Sequence, residues 1–96
     1  MKLLQDKVVL VTGGSAGIGR AAAIGAARAG ADVAINHLHS DEAAASCVAE
    51  IEALGRRAFA LRGDVADPET AHAFVDAAAE ALGGVDVFVS NAGICP

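Results

Sequence analysis

The sequence predicts an α/β fold in which a parallel sheet with strand order 3-2-1-4 forms the first half of a doubly wound domain. Short apolar runs alternate along the 96 residues with longer segments in which apolar residues recur at steps of three and four. The alternation gives four strands joined by three helices. Such connections require parallel pairing, and right-handed crossovers then leave few topologies.

The strands are predicted at residues 7–12, 32–37, 58–61 and 85–90, each a run dominated by small or branched apolar side chains. Val33 and Ile35 are expected on one face of the second strand. The fourth strand would leave an apolar outer edge unpaired. We therefore expect the isolated 96-residue chain to be unstable or to aggregate.

The helices are predicted at residues 17–29, 41–54 and 68–82. Gly30 can take the left-handed conformation that ends the first helix, and Ser40-Asp41 offers an amino-terminal cap for the second. Asp67 caps the third helix, with Pro68 in its first position, and Gly83-Gly84 stops it. The apolar stripes of the second and third helices are Ala44, Cys47, Val48, Ile51 and Leu54, and Ala71, Phe74, Val75, Ala78 and Leu82.

Composition excludes several classes of partner. The formal net charge is −5, which argues against binding to nucleic acid or to an anionic membrane. No segment approaches the roughly 20 apolar residues of a membrane span, and the amino terminus lacks a signal-peptide pattern, so we expect a cytoplasmic protein. Cys47 and Cys95 fit no metal-ligand spacing, and Cys47 is expected in the core.

The junction between the first strand and the first helix is rich in glycine. Gly13, Gly17 and Gly19 have no Cβ, so the turn can adopt positive φ and an anion can approach the backbone closely. The first N–H groups of the following helix have no partner within the helix, and its dipole is positive at that end. A pyrophosphate would be held there without a lysine.

Two further loops follow strands on the same side of the sheet. Asp64-Val65 follows the third strand, and residues 91–93, Asn-Ala-Gly, follow the fourth. Open α/β sheets bind ligands outside the carboxyl ends of their strands, where the strand order reverses. The order 3-2-1-4 reverses between the first and fourth strands, so these loops and the glycine loop are expected at one crevice.

The three loops resemble those of the short-chain dehydrogenase/reductase family. Residues 12–19, Thr-Gly-Gly-Ser-Ala-Gly-Ile-Gly, are similar to its TGxxxGxG cofactor loop, and Asp64-Val65 is similar to its adenine contact. Residues 90–93 resemble its NNAG stretch, with Ser90 in place of the first asparagine. The resemblance spans essentially the whole chain and implies a Rossmann-type fold that binds NAD(P).

The resemblance also implies roles for single residues. The pyrophosphate and the nearby ribose would be contacted by Gly13, Ser15, Ile18 and Gly19. Adenine would be contacted by Asp64 and Val65. Asn91 would bind the ribose side of the cofactor and connect neighbouring strands. A carboxylate that caps a turn is the alternative interpretation of Asp64. The full set of predicted cofactor contacts is Gly13, Ser15, Gly17, Ile18, Gly19, His37, Asp64, Val65, Asn91, Ala92 and Gly93.

Cofactor choice depends on the end of the second strand. An acidic residue there would accept a hydrogen bond from the ribose 2′-hydroxyl of NAD and repel a 2′-phosphate. His37 takes that position, and His37, His39 or Ser40 could donate to the phosphate of NADP. Ala16 stands where NADP-using members often carry a basic residue. NADP is therefore favoured, with NAD as the alternative. The other interpretation of His37 and His39 is that they are exposed loop residues that bind no ligand.

The family's reacting groups are an Asn, a Ser and a Tyr-xxx-Lys pair, which the resemblance places beyond residue 96. The sequence contains no tyrosine. We expect residues 1–96 to be the amino-terminal part of a single NAD(P)-binding domain, without its catalytic part and inactive alone. The complete protein would transfer hydride between nicotinamide and an alcohol or carbonyl. The alternative is a dinucleotide-binding module without catalysis.

The substrate follows less directly from these residues. Residues 91–96 resemble the corresponding stretch of sugar dehydrogenases in the family, L-rhamnose 1-dehydrogenases among them, and a generic alcohol or a 3-oxoacyl substrate is the alternative. The resemblance further implies a homo-oligomer, a tetramer, for the complete protein.

Overall fold

The computed structural model describes residues 3–13, 17–39 and 41–90. Strands and helices alternate within these ranges. In chain order they are β1 Val8–Thr12, α1 Gly17–Arg28, β2 Asp32–His37, α2 Asp41–Ala53, β3 Ala58–Arg62, α3 Pro68–Leu82 and β4 Val87–Val89. The strands form one parallel sheet in the order β3-β2-β1-β4, which confirms the predicted fold class and topology.

The helices cover the two faces of the sheet unequally. Val9, Val11, Val33 and Ile35 face α1 and α2, whose small side chains allow close packing. The alternate strand residues face α3, which supplies Phe74 to that side of the core. Because β1 and β2 are buried on both faces, all of their residues are apolar or have a defined polar partner.

The ends of the helices follow the sequence signals. Asp67 accepts a hydrogen bond from the backbone N–H of Thr70, Pro68 begins α3, and Gly83 ends it with φ 88°. Gly30 after α1 likewise has a positive φ, 101°. The prediction for Leu54 is wrong, because α2 ends at Ala53 and the chain turns away there, leaving Leu54 39% exposed.

Cys47 lies in the core between α2 and the sheet, fully buried, as predicted. Burial raises the pKa of its thiol, with opposing influence from the charge of Arg20. The thiol is therefore a packing group rather than a nucleophile.

Charged side chains close the amino edge of the sheet. Asp32, at the start of β2, is 5% exposed and accepts hydrogen bonds from the backbone N, Nε and Nη2 of Arg57 at 3.0, 3.1 and 2.9 Å. Arg56 Nη2 lies 3.0 Å from Oδ1 of Asp32, the oxygen atom that also accepts from the backbone N of Arg57, while the Arg57 side chain donates to Oδ2. Asp86 accepts from the backbone N of Val8 at 2.8 Å and so fixes the start of β1. These contacts hold the amino ends of β1 and β2 in place.

None of the helices in the described ranges is both long enough and apolar enough to cross a membrane.

Candidate functional site

The glycine loop lies at the carboxyl edge of β1. Gly13 follows the strand with φ 67°, and Gly17 opens α1 with φ 58°. Residues other than glycine rarely adopt this backbone conformation. Apart from the chain neighbours of Gly17 and its own helix backbone, no heavy atom of residues 3–13, 17–39 and 41–90 would lie within 4 Å of a Cβ on Gly17. A ligand can therefore approach the backbone at this point.

The first turn of α1 presents its N–H groups beside that space and contains no acidic residue. Ile18, in the same turn, is 78% exposed. Gly19, in contrast, is buried. Among the described residues of the loop, Gly17 and Ile18 are thus exposed and Gly19 is buried.

Asn36 ties the ends of three strands together, a role that sequence reasoning missed. Its amide nitrogen donates to the carbonyl oxygen of Gly63 at 2.7 Å, and its amide oxygen accepts from the backbone N of Gly13 at 3.4 Å. The residue is 3% exposed. An amide is suited to this position because it donates and accepts at once. The signal for this role was a polar residue at the end of an otherwise apolar strand.

Asp64 and Val65 begin the loop after β3. The Oδ1 atom of Asp64 accepts from the backbone N of Ala66 at 2.9 Å, so this carboxylate does cap a turn. The residue is nevertheless exposed, and a capped carboxylate keeps lone pairs for a ligand amine. Val65 is partly buried against the core on the α3 side, which fixes its backbone. Both interpretations of Asp64 are therefore compatible with the geometry.

His37 is the last residue of β2 and is buried, 6% exposed, so the interpretation of an exposed loop histidine is wrong for it. Its Nε2 atom lies 2.9 Å from Oδ1 of Asp41 on α2. The Nδ1 atom is buried and has no hydrogen-bond partner within residues 3–13, 17–39 and 41–90. His39 is exposed, in the turn that follows.

Asp41 connects His37 to the neighbouring strand, because its second oxygen atom accepts from Nη1 of Arg62 at 3.1 Å. The hydrogen bond from His37 and the positive charge of Arg62 lower the pKa of Asp41. The carboxylate is therefore ionised at neutral pH, and the imidazole nitrogen that faces it donates the proton. Sequence reasoning considered neither Asp41 nor Arg62 as part of the site, since their contact depends on strand register.

The described site residues meet along one edge. The backbone N of Gly63 donates to the carbonyl oxygen of His37 at 2.9 Å, which joins the loop that carries Asp64 to the end of β2. Asn36 links both to the glycine loop. Ser15, Ser40, Asn91, Ala92, Gly93 and Cys95 lie outside the described residues, so their predicted roles stay predictions.

An elongated anion with an aromatic base fits this edge. Open space beside Gly17 and the amino end of α1 suit a pyrophosphate, while the Asp64 loop two strands away suits an amine-bearing ring. Beside His37, the last residue of β2, Asp41 at the start of α2 pairs with Arg62 at the end of β3. This order of groups corresponds to the pyrophosphate, ribose and adenine of a dinucleotide.

Comparison with known proteins agrees with this geometry. A family model described as short chain dehydrogenase matches residues 7–96. L-rhamnose 1-dehydrogenase (NAD(P)(+)) of Sphingomonas sp. (strain SKA58) is 73% identical over 96 residues, all of this chain and 38% of that protein. The chain thus spans little more than a third of this curated relative's length.

Two solved structures show the same architecture. A short chain dehydrogenase from Burkholderia cenocepacia J2315 in complex with NADP has a TM-score of 0.92 and 57% identity, over 95% of this chain and 37% of that one. Carveol dehydrogenase from Mycobacterium avium in complex with NAD has a TM-score of 0.91 and 30% identity, over 97% and 38%. Because the family model covers nearly the whole sequence and the fold agrees, the chain belongs to the short-chain dehydrogenase family.

Proposed function

We propose that these 96 residues are the dinucleotide-binding part of an NAD(P)-dependent oxidoreductase that oxidises a sugar at C1, with NADP preferred over NAD. The observation that carries the proposal is the amino end of α1, where Gly17 has a positive φ and where the described residues leave space for a ligand beside its Cα. A bound dinucleotide diphosphate would accept hydrogen bonds from the N–H groups of that turn, which have no partners within the helix.

The choice of a sugar substrate is supported by the relative from Sphingomonas, whose name describes L-rhamnose oxidation, at 73% identity. The use of both cofactors is supported by that name and by the neighbouring structures with NADP and with NAD. The substrate we propose is accordingly an aldose of the L-rhamnose type, and the hydroxyl that reacts is the one on C1.

Nicotinamide, when bound, accepts the hydride from the carbinol carbon. The described residues hold the cofactor in place for that transfer. The α1 terminus binds the diphosphate, Asp64 and Val65 contact adenine, and Asn36 fixes the distances between their loops. The sequence has no tyrosine, and we propose that the general acid-base group is supplied by the rest of a longer protein. We also propose that this longer protein assembles into a homo-oligomer through segments outside residues 1–96.

Substitution of Gly17 tests the binding site. In the intact protein Gly17→Val is expected to weaken binding of both NAD and NADP at least about tenfold, because a branched side chain is strained at positive φ and fills the space for the diphosphate. Gly25→Val is the matched control, since Gly25 lies in the same helix, is exposed and has open space around it. Affinities are measured by calorimetry, with circular dichroism to establish that both variants fold.

The site assignment is overturned if Gly17→Val binds both cofactors like the unsubstituted protein, or if Gly25→Val is equally weakened. The substrate is tested separately by following nicotinamide reduction with L-rhamnose, with a simple secondary alcohol and, in the reverse direction, with a 3-oxoacyl thioester. Faster turnover of a compound other than the aldose would contradict the proposed substrate while leaving the cofactor site intact.

A further inference from the structure

The end of β2 carries a charge arrangement that the glycine loop does not account for. NADP has a 2′-phosphate that needs a cation, yet Ala16 occupies the loop position where a basic residue would serve. The same edge of the sheet does contain a cation. Arg62 ends β3, directly beside His37 in the strand register, and its side chain is 58% exposed.

Arg62 is placed between the two parts of the predicted adenosine site. It directly precedes Gly63 and Asp64, where adenine is expected to bind, and it reaches over to Asp41 beside His37, where the ribose 2′-position is expected. Paired residues on parallel strands project to the same face, so His37 and Arg62 both point toward the amino end of α2. A guanidinium group at this location can form two hydrogen bonds to a phosphate.

In the structure, the guanidinium of Arg62 forms an ion pair with Asp41. Its carboxylate accepts from Arg62 through one oxygen and from His37 through the other, at 3.1 and 2.9 Å. The His37 side chain is buried, so this contact keeps the carboxylate in place when Arg62 moves away. The Asp41 and Arg62 side chains are both more than half exposed, and an exposed ion pair of this kind costs little to separate.

We propose, resting on the dinucleotide site proposed above, that Arg62 is the ligand of the NADP 2′-phosphate and that Asp41 competes with the phosphate for it. With NADP the guanidinium leaves Asp41 and binds the phosphate, while the nearby carboxylate repels that phosphate. With NAD the Arg62–Asp41 pair stays closed. Because Arg62 attracts the 2′-phosphate and Asp41 repels it, the protein binds NADP only moderately more tightly than NAD and uses both cofactors.

His37 acts in this arrangement as a positioning residue, because its imidazole orients Asp41 rather than donating to the phosphate. For that reason His37→Asp is a poor test of cofactor choice, since it would add a second carboxylate beside Asp41. Substitutions of Arg62 and Asp41 change one charge each and leave the buried histidine in place.

The experiment measures dissociation constants of NAD and NADP by calorimetry for the intact protein and its variants. We take the ratio of the NAD constant to the NADP constant as the preference for NADP. Arg62→Gln is expected to lower this ratio at least about tenfold, because the loss of even one of the two charge-assisted hydrogen bonds has that effect. Asp41→Asn is expected to raise the ratio severalfold, because it releases Arg62 and removes a repelling charge. Arg28→Gln, an identical change at the exposed far end of α1, is the matched control and is expected to leave the ratio unaltered.

The two proposals fail differently. If the unsubstituted protein binds neither NAD nor NADP, the dinucleotide site itself is wrong. If it binds both and Arg62→Gln leaves the ratio unchanged, or Asp41→Asn lowers it, the roles of Arg62 and Asp41 are wrong while the site stands. Asp41 begins α2, so a thermal unfolding scan accompanies each variant. The ratio compares two ligands on one protein, and a general loss of stability does not move it.

Discussion

Asp32 is the most buried charged residue that the structure describes at the amino edge of the sheet. Burial is the largest influence on it and opposes ionisation, but the hydrogen bonds from Arg57, then the charges of Arg56 and Arg57, together outweigh burial and lower the pKa of Asp32. The folded protein therefore binds this proton more weakly than the unfolded chain, whose ordinary aspartate pKa is 3.8. Its contribution to stability is complete above that value and is lost as pH falls through the lower folded value.

Asp32→Asn is expected to lower the free energy of unfolding of the intact protein by about 1–3 kcal/mol at neutral pH. The asparagine still accepts one hydrogen bond from Arg57, whose half-exposed guanidinium can turn to water, so the loss stays below that of a fully buried ion pair. The difference between the two proteins should begin to shrink below about pH 4, where the unfolded chain binds the proton, and should disappear as pH falls through the lower pKa of the folded carboxyl. Urea unfolding measured across this pH range tests both statements.

Asp76→Asn is the control for that measurement, since Asp76 is exposed on α3 and a surface change of this kind stays within about 0.5 kcal/mol. The assigned role of Asp32 is contradicted if its substitution costs no more than that of Asp76. It is contradicted as well if the difference between the Asp32 variant and the unsubstituted protein is the same at pH 3 as at pH 7.

Sequence reasoning reached the single residues whose roles are local. Gly30, Asp67 and Gly83 were predicted from helix-end chemistry, which depends only on neighbours in the chain, and their geometry is confirmed. Asn36, Asp41 and Arg62 were missed because their roles depend on which strand ends lie side by side. The glycine loop combines both situations. Its position at a strand-helix junction follows from neighbouring residues, whereas the identity of its ligand depends on loops that are distant in the sequence.

At the scale of the elements, the alternation of strand and helix was predictable because each segment carries its own periodicity and stop signals. Strand order followed from the handedness of the crossovers rather than from any residue pair. The wrong prediction for Leu54 came from the same use of periodicity. The three-and-four spacing continued past Ala53, and only the positive φ of Gly55 shows that the helix had ended.

Two glycine substitutions test how helix position determines the sign of a stability change. Gly25→Ala in the middle of α1 is expected to stabilise the protein by up to about 1 kcal/mol, because alanine favours the helix and nothing lies within 4 Å of the new Cβ. Gly83→Ala at the end of α3 is expected to destabilise it by about 1 kcal/mol, since φ there is 88° although space is equally open. Each variant is the other's control in thermal unfolding, and a shift of the same sign in both would contradict the explanation.

At the scale of the whole molecule, the sheet is covered unevenly. Helices α1 and α2 cover one face of β1, β2 and β3, and α3 packs against the other face of the same strands, whereas within the described residues no helix packs against β4. Phe88 of β4 pairs with Leu10, which lies on the α3 face, yet Phe88 is 48% exposed. In the part of the chain that the structure describes, β4 is an apolar strand at an open edge.

An open apolar edge of this kind pairs with other chains. We therefore expect a polypeptide of residues 1–96 alone to self-associate, with the extent rising with concentration in sedimentation velocity. Phe88→Lys is expected to reduce the association, because a charge on the edge strand disfavours a further strand beside it. Leu3→Lys is the matched control, since Leu3 is 86% exposed but lies outside the sheet. A monomeric 96-residue chain with a cooperative unfolding transition would contradict this prediction, and so would equal effects of the two lysine substitutions, because exposure alone rather than the strand edge would then drive the association.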